Sequence, residues 1–302
     1  MAFRLSAGMD SAGKLLGWNS IVWSDSHSTR PNGSGGSFIA ARSLDPPVEF
    51  RKGGWSGGSY RNGIPEYSFG AKQLRLFDYD GPLRTSSLRG LGAYANTFAM
   101  EAFIDELIYK AGKDPIDFRI KNLEDPRARA VLEELAQKTN WKNRSKSANN
   151  GFGVAYARYK NATSYFAVFA EVEIDKAAKN YKLKKLTGVI DSGLTINPDG
   201  LKNQTEGGMI QSASWTMMEE VHFDQDGITS VDWNTYPILR MKDVPEVEVH
   251  IIDRPEEKPM GAGEAAMGPV AAAISNAVFD ATGSRVRNLP IKAEKIDWES
   301  VS

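Results

Sequence analysis

The chain has 302 residues, of which 41% are hydrophobic and 25% charged, an ordinary globular composition with room for one large or two medium domains. Its 37 basic and 38 acidic residues leave a formal net charge of −1, so no basic excess points to nucleic acid or to an anionic membrane. There is no cysteine, which excludes disulfides, thiolate nucleophiles and thiolate-bound iron–sulfur or zinc sites within this chain.

Residues 1–24 read as two strands around the Ser11-Ala12-Gly13 turn. Residues 25–70 form a long irregular stretch in which glycines alternate with aromatics, a pattern of a loop packed on something rather than of a free linker. From Asn96 the period changes. Ala99, Phe103, Leu107 and Ala111 recur every four residues, with Ile104 and Ile108 widening the face, and predict an amphipathic helix capped by Asn96 and closed at Lys110 and Gly112. Asp114-Pro115 opens a short second helix, and Asp125-Pro126 opens a third that ends near Trp141, each a cap residue followed by proline at the first helical position.

The polar stretch 139–151 is the best boundary, dividing the chain into 1–141 and 142–302. Beyond it, residues 164–175 and 181–191 predict an antiparallel strand pair. Residues 201–221 predict a helix with Gly207 and Gly208 in its first turns, and residues 246–253 alternate as a half-buried strand does. Gly261-Ala262-Gly263-Glu264 then precedes an alanine-rich helix, placing Glu264 at the helix start. No apolar run is long enough to cross a bilayer, and the first residues lack the apolar core of a signal peptide. The cytoplasm is the default compartment, with the periplasm open to a chain exported with a partner.

Standard chemistry motifs fail. There is no P-loop, no G-x-S-x-G elbow, and Gly261, Gly263 and Gly268 are misspaced for a dinucleotide fingerprint. His27, His222 and His250 are too scattered for a metal site, and no metal ligand is assigned. A glycine turn before a helix presents N–H donors to an anion. It equally serves as a tight turn with a glutamate favoured at a helix N-terminus.

Three stretches, 82–123, 191–220 and 261–296, occur in this order and resemble the molybdenum hydroxylases of the xanthine oxidase and aldehyde oxidase family. The likeness is to the C-terminal half of the molybdopterin-binding large subunit, in the branch of isoquinoline oxidoreductase and bacterial aldehyde dehydrogenases. It implies an α+β fold of mixed and antiparallel sheets flanked by helices, half of a larger subunit. The implied reaction hydroxylates an electron-poor sp² carbon, in an aldehyde or an N-heterocycle, with water as oxygen source. Glu264 matches the family's catalytic base, and Arg89 matches the arginine at its molybdenum pocket. Gly90 and Gly92 flank Arg89 and allow close backbone approach, as do Gly261, Ala262 and Gly263 before Glu264. Gln204, Gly208 and Gln211 fall on the stretch that lines the pterin and nucleotide in the family. For Gly208, a glycine packed inside a core helix is the competing reading.

Two departures stand out. Gln211 is followed by Ser212-Ala213-Ser214-Trp215 rather than Q-G-x-G, and Gly35-Gly36-Ser37-Phe38 is followed by Ile39, so it does not make the G-G-x-F-G loop of the family's N-terminal half. The resemblance therefore implies either a split subunit, with a complementary chain carrying that half, or a truncated fragment of the large subunit, and molybdopterin, in the cytosine dinucleotide form, as the cofactor. It also implies an iron–sulfur small subunit, with a cytochrome c as a further electron acceptor. A non-catalytic module of the same fold is the alternative. A half-subunit is expected to expose apolar surface, with Trp55, Tyr60, Tyr67 and Phe69 as its candidates.

Overall fold

The computed structural model describes residues 1–27, 36, 38–48, 57–79 and 81–301; Trp55, and Gly35 and Ser37 of the glycine-rich stretch, lie outside the described residues. The first strands, β1 (Ala2–Met9) and β2 (Leu15–Ser24), pair antiparallel as expected. Their turn is set by Asp10, whose Oδ1 accepts from the backbone N–H groups of Ala12 (3.0 Å) and Lys14 (2.8 Å), with Gly13 at φ +82°. A third strand, β3 (Ala71–Asp78), lies parallel to β2 and completes this sheet.

Three helices follow. Helix α1 (Gly92–Lys110) begins four residues before Asn96, which is buried inside it rather than capping it. The Asn96 amide instead donates to the carbonyls of Ser59 (2.7 Å) and Arg61 (2.8 Å), tying the preceding loop to the helix. Helices α2 (Pro115–Lys121) and α3 (Pro126–Lys138) open as the Asp-Pro pairs predict: Asp114 Oδ1 accepts from Ile116 N–H at 2.9 Å and Asp125 Oδ1 from Arg127 N–H at 2.9 Å.

The second sheet has the order β4 (Asn150–Arg158), β5 (Tyr165–Asp175), β6 (Asn180–Asp191), β7 (Glu246–Ile251). The first two pairings are antiparallel and the last parallel, so both sheets are mixed. Helix α4 (Pro198–Met217) starts earlier than expected, capped by Asn197, which puts Gly207 and Gly208 mid-helix rather than in its first turns. It packs on β7, while α5 (Met267–Thr282) lies across β4 and β5 and against α1.

Strand β5 shows how the layers close. Phe166, Val168, Ala170 and Val172 enter one apolar cluster with α5, and Tyr165, Ala167 and Phe169 enter another with α3. Alternate residues thus bury against helices on both faces, which is why the strand is apolar without interruption from Tyr165 to Ala170 before Glu171, Glu173 and Asp175 alternate in. The α3-side cluster takes residues from both sides of residue 141, among them Trp18, Trp141 and Phe152. Tyr67 and Phe69 belong to it as well. They are 1% and 9% exposed, so of the proposed surface aromatics only Tyr60, at 47%, lies open among the described residues. Tyr67 donates to Glu101 at 2.7 Å, and Phe69 packs on Trp18 with ring centroids 5.2 Å apart.

The alanine run of α5 now has a physical reason. A Cβ on Gly153 of β4 would stand 2.1 Å from the Ala273 carbonyl oxygen, and one on Gly151 would stand 2.2 Å from that of Ala277. Helix and strand touch backbone to backbone, and only small residues permit it.

Candidate active site

Four segments meet where α5 begins: residues 57–63, 88–92, 158–164 and 261–266, with one face of α4 beside them. Glu264 occupies the turn just before α5. Its Oε1 accepts from the Gly90 N–H at 2.8 Å and its Oε2 from the Tyr159 hydroxyl at 2.5 Å, with Arg61 Nη1 3.7 Å from the same Oε2. Burial pushes the Glu264 carboxyl up. The Tyr159 hydroxyl, the Gly90 N–H and the charges of Arg61 and Lys160 outweigh that push and hold it below the ordinary carboxylate value. Tyr159 moves the other way, raised by burial first and then by its bond to Glu264, so it remains a protonated donor.

The backbone around Gly90 is unusual. Gly90 has φ +94° and Leu91, a residue with a branched side chain, has φ +50°. Strained residues of this kind persist only where their surroundings hold them. Here the conformation turns the Gly90 N–H toward Glu264 and delivers the chain into α1.

Arg89, the arginine matched to the pocket, is bound into the protein by three hydrogen bonds. Its Nε donates to the Gly263 carbonyl (2.5 Å), its Nη2 to the Gln204 carbonyl (2.9 Å) and its Nη1 to Gln211 Oε1 (3.2 Å). One guanidinium thus ties the 88–92 loop to α4 and to the Glu264 turn. Gly208 makes room for it, since a Cβ there would lie 3.1 Å from Arg89 Nη2. Gln204 also donates from Nε2 to the Gly263 carbonyl at 3.3 Å.

The remaining glycines separate into two kinds. Gly92 is pressed on the protein itself, where an added Cβ would meet the Ser59 carbonyl oxygen at 2.4 Å. Gly261 has nothing within 4 Å of where a Cβ would stand, and its carbonyl is held by the Ser164 hydroxyl at 2.8 Å. Ala262 packs against the α5-side core. Arg61, Tyr159 and Lys160 were not singled out from the sequence. Nothing local marks them: Tyr159 and Glu264 are 105 residues apart, and Arg61 and Tyr159 are 98 apart.

The sequence profile of the molybdopterin cofactor-binding domain family matches residues 86–245, more than half of the chain, a span that includes Arg89, Gln204 and Gln211. The chain belongs to this family, within the xanthine oxidase family. It is 36% identical over 250 residues to one of the subunits of nicotinate dehydrogenase from Pseudomonas putida, covering 78% of this chain and 21% of that protein. It is 31% identical over 261 residues to the beta subunit of isoquinoline 1-oxidoreductase from Brevundimonas diminuta, covering 84% of this chain and 31% of that one. The chain therefore spans under a third of these relatives' length. The crystal structure of quinoline 2-oxidoreductase from Pseudomonas putida superimposes with a TM-score of 0.78 over 99% of this chain and 62% of the other, at 14% identity, which establishes the shared fold.

As a molybdopterin cofactor-binding domain, the chain offers a wall that fits an anionic, hydrogen-bond-accepting group. The α5 N-terminus has no side-chain cap, Gly261 has open space beside it, and the Gln204 and Gln211 amides border the same place. Arg61, Arg89 and Lys160 lie around the Glu264 carboxylate. Among the described residues no helix is long and apolar enough to cross a membrane.

Proposed function

We propose that this chain is the base-bearing component of a molybdenum hydroxylase. Its substrate is an electron-poor sp² carbon, in an N-heteroaromatic ring or an aldehyde, and its oxygen source is water. When bound, the molybdenum cofactor supplies the oxygen-transfer and two-electron chemistry. The observation that supports the reading is Glu264, a carboxylate that accepts from the Gly90 N–H and the Tyr159 hydroxyl, donors that favour its ionised form, beside the uncapped start of α5 in a molybdopterin cofactor-binding domain. A carboxylate so placed takes the proton released as the new carbon–oxygen bond forms.

The other residues have supporting roles. The α5 N-terminus and the Gln204 and Gln211 amides would hold the cofactor's acceptor groups, with Gly261, Ala262 and Gly263 allowing close approach. Gly90 fixes one oxygen of the base. Arg89 keeps the wall together, and its N–H donors beyond the three protein bonds are available to a substrate carbonyl or ring nitrogen. The names of the two curated relatives and of the superimposed structure, which speak of nicotinate, isoquinoline and quinoline, favour the N-heteroaromatic ring. Both relatives are named as subunits. A complementary chain, an iron–sulfur chain to take the electrons and the cytosine dinucleotide form of the cofactor complete the proposal, since a cysteine-free chain cannot hold such clusters.

The test is Glu264→Gln in the assembled, cofactor-loaded enzyme. It is expected to lower kcat/KM for quinoline or benzaldehyde by roughly 10²–10⁴-fold, with molybdenum content unchanged by elemental analysis. Turnover equal to the parent's would sink the base assignment.

A further inference from the structure

We infer that Arg61 and Tyr159 form a one-way donor pair that positions Glu264: Arg61 aims the Tyr159 hydroxyl, and the hydroxyl holds one oxygen of the carboxylate. The inference rests on Glu264 being the base and adds the groups that set its state. Arg61 Nη1 donates to Tyr159 Oη at 2.7 Å, and Tyr159 Oη lies 2.5 Å from Glu264 Oε2. A guanidinium has no acceptor, so the single phenolic proton cannot point back at Arg61 and is directed to Glu264. The direction of the hydrogen bond follows from the chemistry of its three members.

The pair is itself held rigidly. Asn62 Oδ1 accepts from the Lys160 N–H at 2.8 Å, and Asn62 Nδ2 donates to the Arg158 carbonyl at 2.8 Å. Asn161 Nδ2 donates to the Ile64 carbonyl at 3.0 Å. The loop bearing Arg61 and the turn bearing Tyr159 are thus joined by three side-chain bonds, and Asn96 fixes the Arg61 carbonyl to α1 at 2.8 Å. Asn62, Lys160 and Asn161 all have positive φ, a local cost that the surrounding bonds maintain.

The consequence is chemical. A donor on Oε2 stabilises the carboxylate over the acid, so it keeps Glu264 ionised and ready to accept a proton. It also fixes the rotamer: with Gly90 on Oε1 and Tyr159 on Oε2, the carboxyl plane has one orientation. Tyr159 acts through the Glu264 carboxylate that it holds and is a positioning residue. The charged and titratable groups facing Glu264 are Arg61, Arg89, Tyr159 and Lys160.

The experiment measures the titration of Glu264 directly. The full chain is labelled with ¹³C-carboxyl glutamate, and its infrared carboxylate band is followed against pH, with Glu264→Gln subtracted to isolate the one group. Tyr159→Phe is expected to raise the midpoint by about one pH unit. In the assembled enzyme the acid limb of kcat/KM should move up by the same amount. Arg61→Met, which frees the phenol to rotate, should move the midpoint the same way by less, and it decides the matter if Tyr159→Phe does not fold. A midpoint unchanged in both variants overturns the pairing. Parent-like turnover in Glu264→Gln would overturn the base assignment instead, leaving the infrared result to stand on its own.

Discussion

At the scale of single residues, burial and hydrogen bonding pull ionisable groups in opposite directions, and the partners decide the outcome. Glu264 is held ionised by donors despite burial, so its folded-state value lies below its unfolded one. Such a group contributes stability above the unfolded value and loses it as pH falls through the folded one. His27 shows the other case. Burial, aided by positive charge that includes Arg61, lowers it from 6.5 to about 4, and its Nε2 lies 3.3 Å from Ser24 Oγ. Above pH 6.5 neither state binds the proton. Below it the unfolded chain takes one that the folded chain refuses, so stability falls until the pH reaches about 4. Denaturant titrations at pH 7.5 and 4.5 should show His27→Gln losing about 2 kcal/mol less than the parent across that interval. Equal losses would mean that His27 titrates normally in the fold.

At the scale of elements, backbone approach governs where glycine and alanine fall. Helix α5 lies on β4 at a distance that only Gly151 and Gly153 permit, and Gly268 does the same for α5 against α1, where a Cβ would meet the Ala93 carbonyl oxygen at 2.7 Å. The helix that carries the Glu264 turn is therefore located by small residues on three elements. Gly153→Ala is expected to destabilise the chain by about 1–3 kcal/mol, because the atom it meets is backbone and cannot rotate away. Chemical denaturation tests this directly, and a loss under about 0.5 kcal/mol would show that α5 can shift without consequence. Between α1 and α2, the buried pair Glu101 and Arg119 (Nε to Oε2, 3.0 Å) serves a similar joining role through charge, with Tyr67 and the Tyr156 N–H completing the acceptor's partners.

At the scale of the molecule, exposed apolar residues lie not only in the 25–70 stretch, with Ile39, Leu44 and Tyr60 among them, but also in a second segment. The segment between α4 and β7 carries Val231, Trp233 and Met241 at 78%, 63% and 91% exposed, beside Phe223 and Ile228. Its base is anchored: Tyr236 donates to Glu219 at 2.8 Å, and Lys292 bonds Glu220 at 2.7 Å. An apolar segment held outward on polar anchors should bind a hydrophobic dye in the purified chain. Joint substitution of Val231→Ser and Trp233→Ser should lower the dye signal while moving stability by less than about 0.5 kcal/mol. Dye binding equal to the parent's would place the apolar surface on other residues.

Much of this was legible in the sequence because the signals are local. The Asp10 to Gly13 turn, the two Asp-Pro helix starts, the β5 and β6 pair and the alternation of β7 each depend on residues within a few positions of one another. The three stretches 82–123, 191–220 and 261–296 likewise carried the family. Strands β3 and β4 left no such mark. In β4 the residues 151–156 are buried on both faces, so the polar alternation that marks a strand is missing. Asn96 looked like a cap, and Tyr67 and Phe69 looked like surface, because their partners come from other segments. Glu264 was visible as one carboxylate after two glycines. Its company was not, since Gly90, Tyr159 and Arg61 reach it across more than 100 residues of chain and leave no period or spacing behind. Local hydrogen bonding and periodicity write themselves into neighbouring residues, whereas the state of a buried carboxylate is decided by whatever the finished fold sets around it.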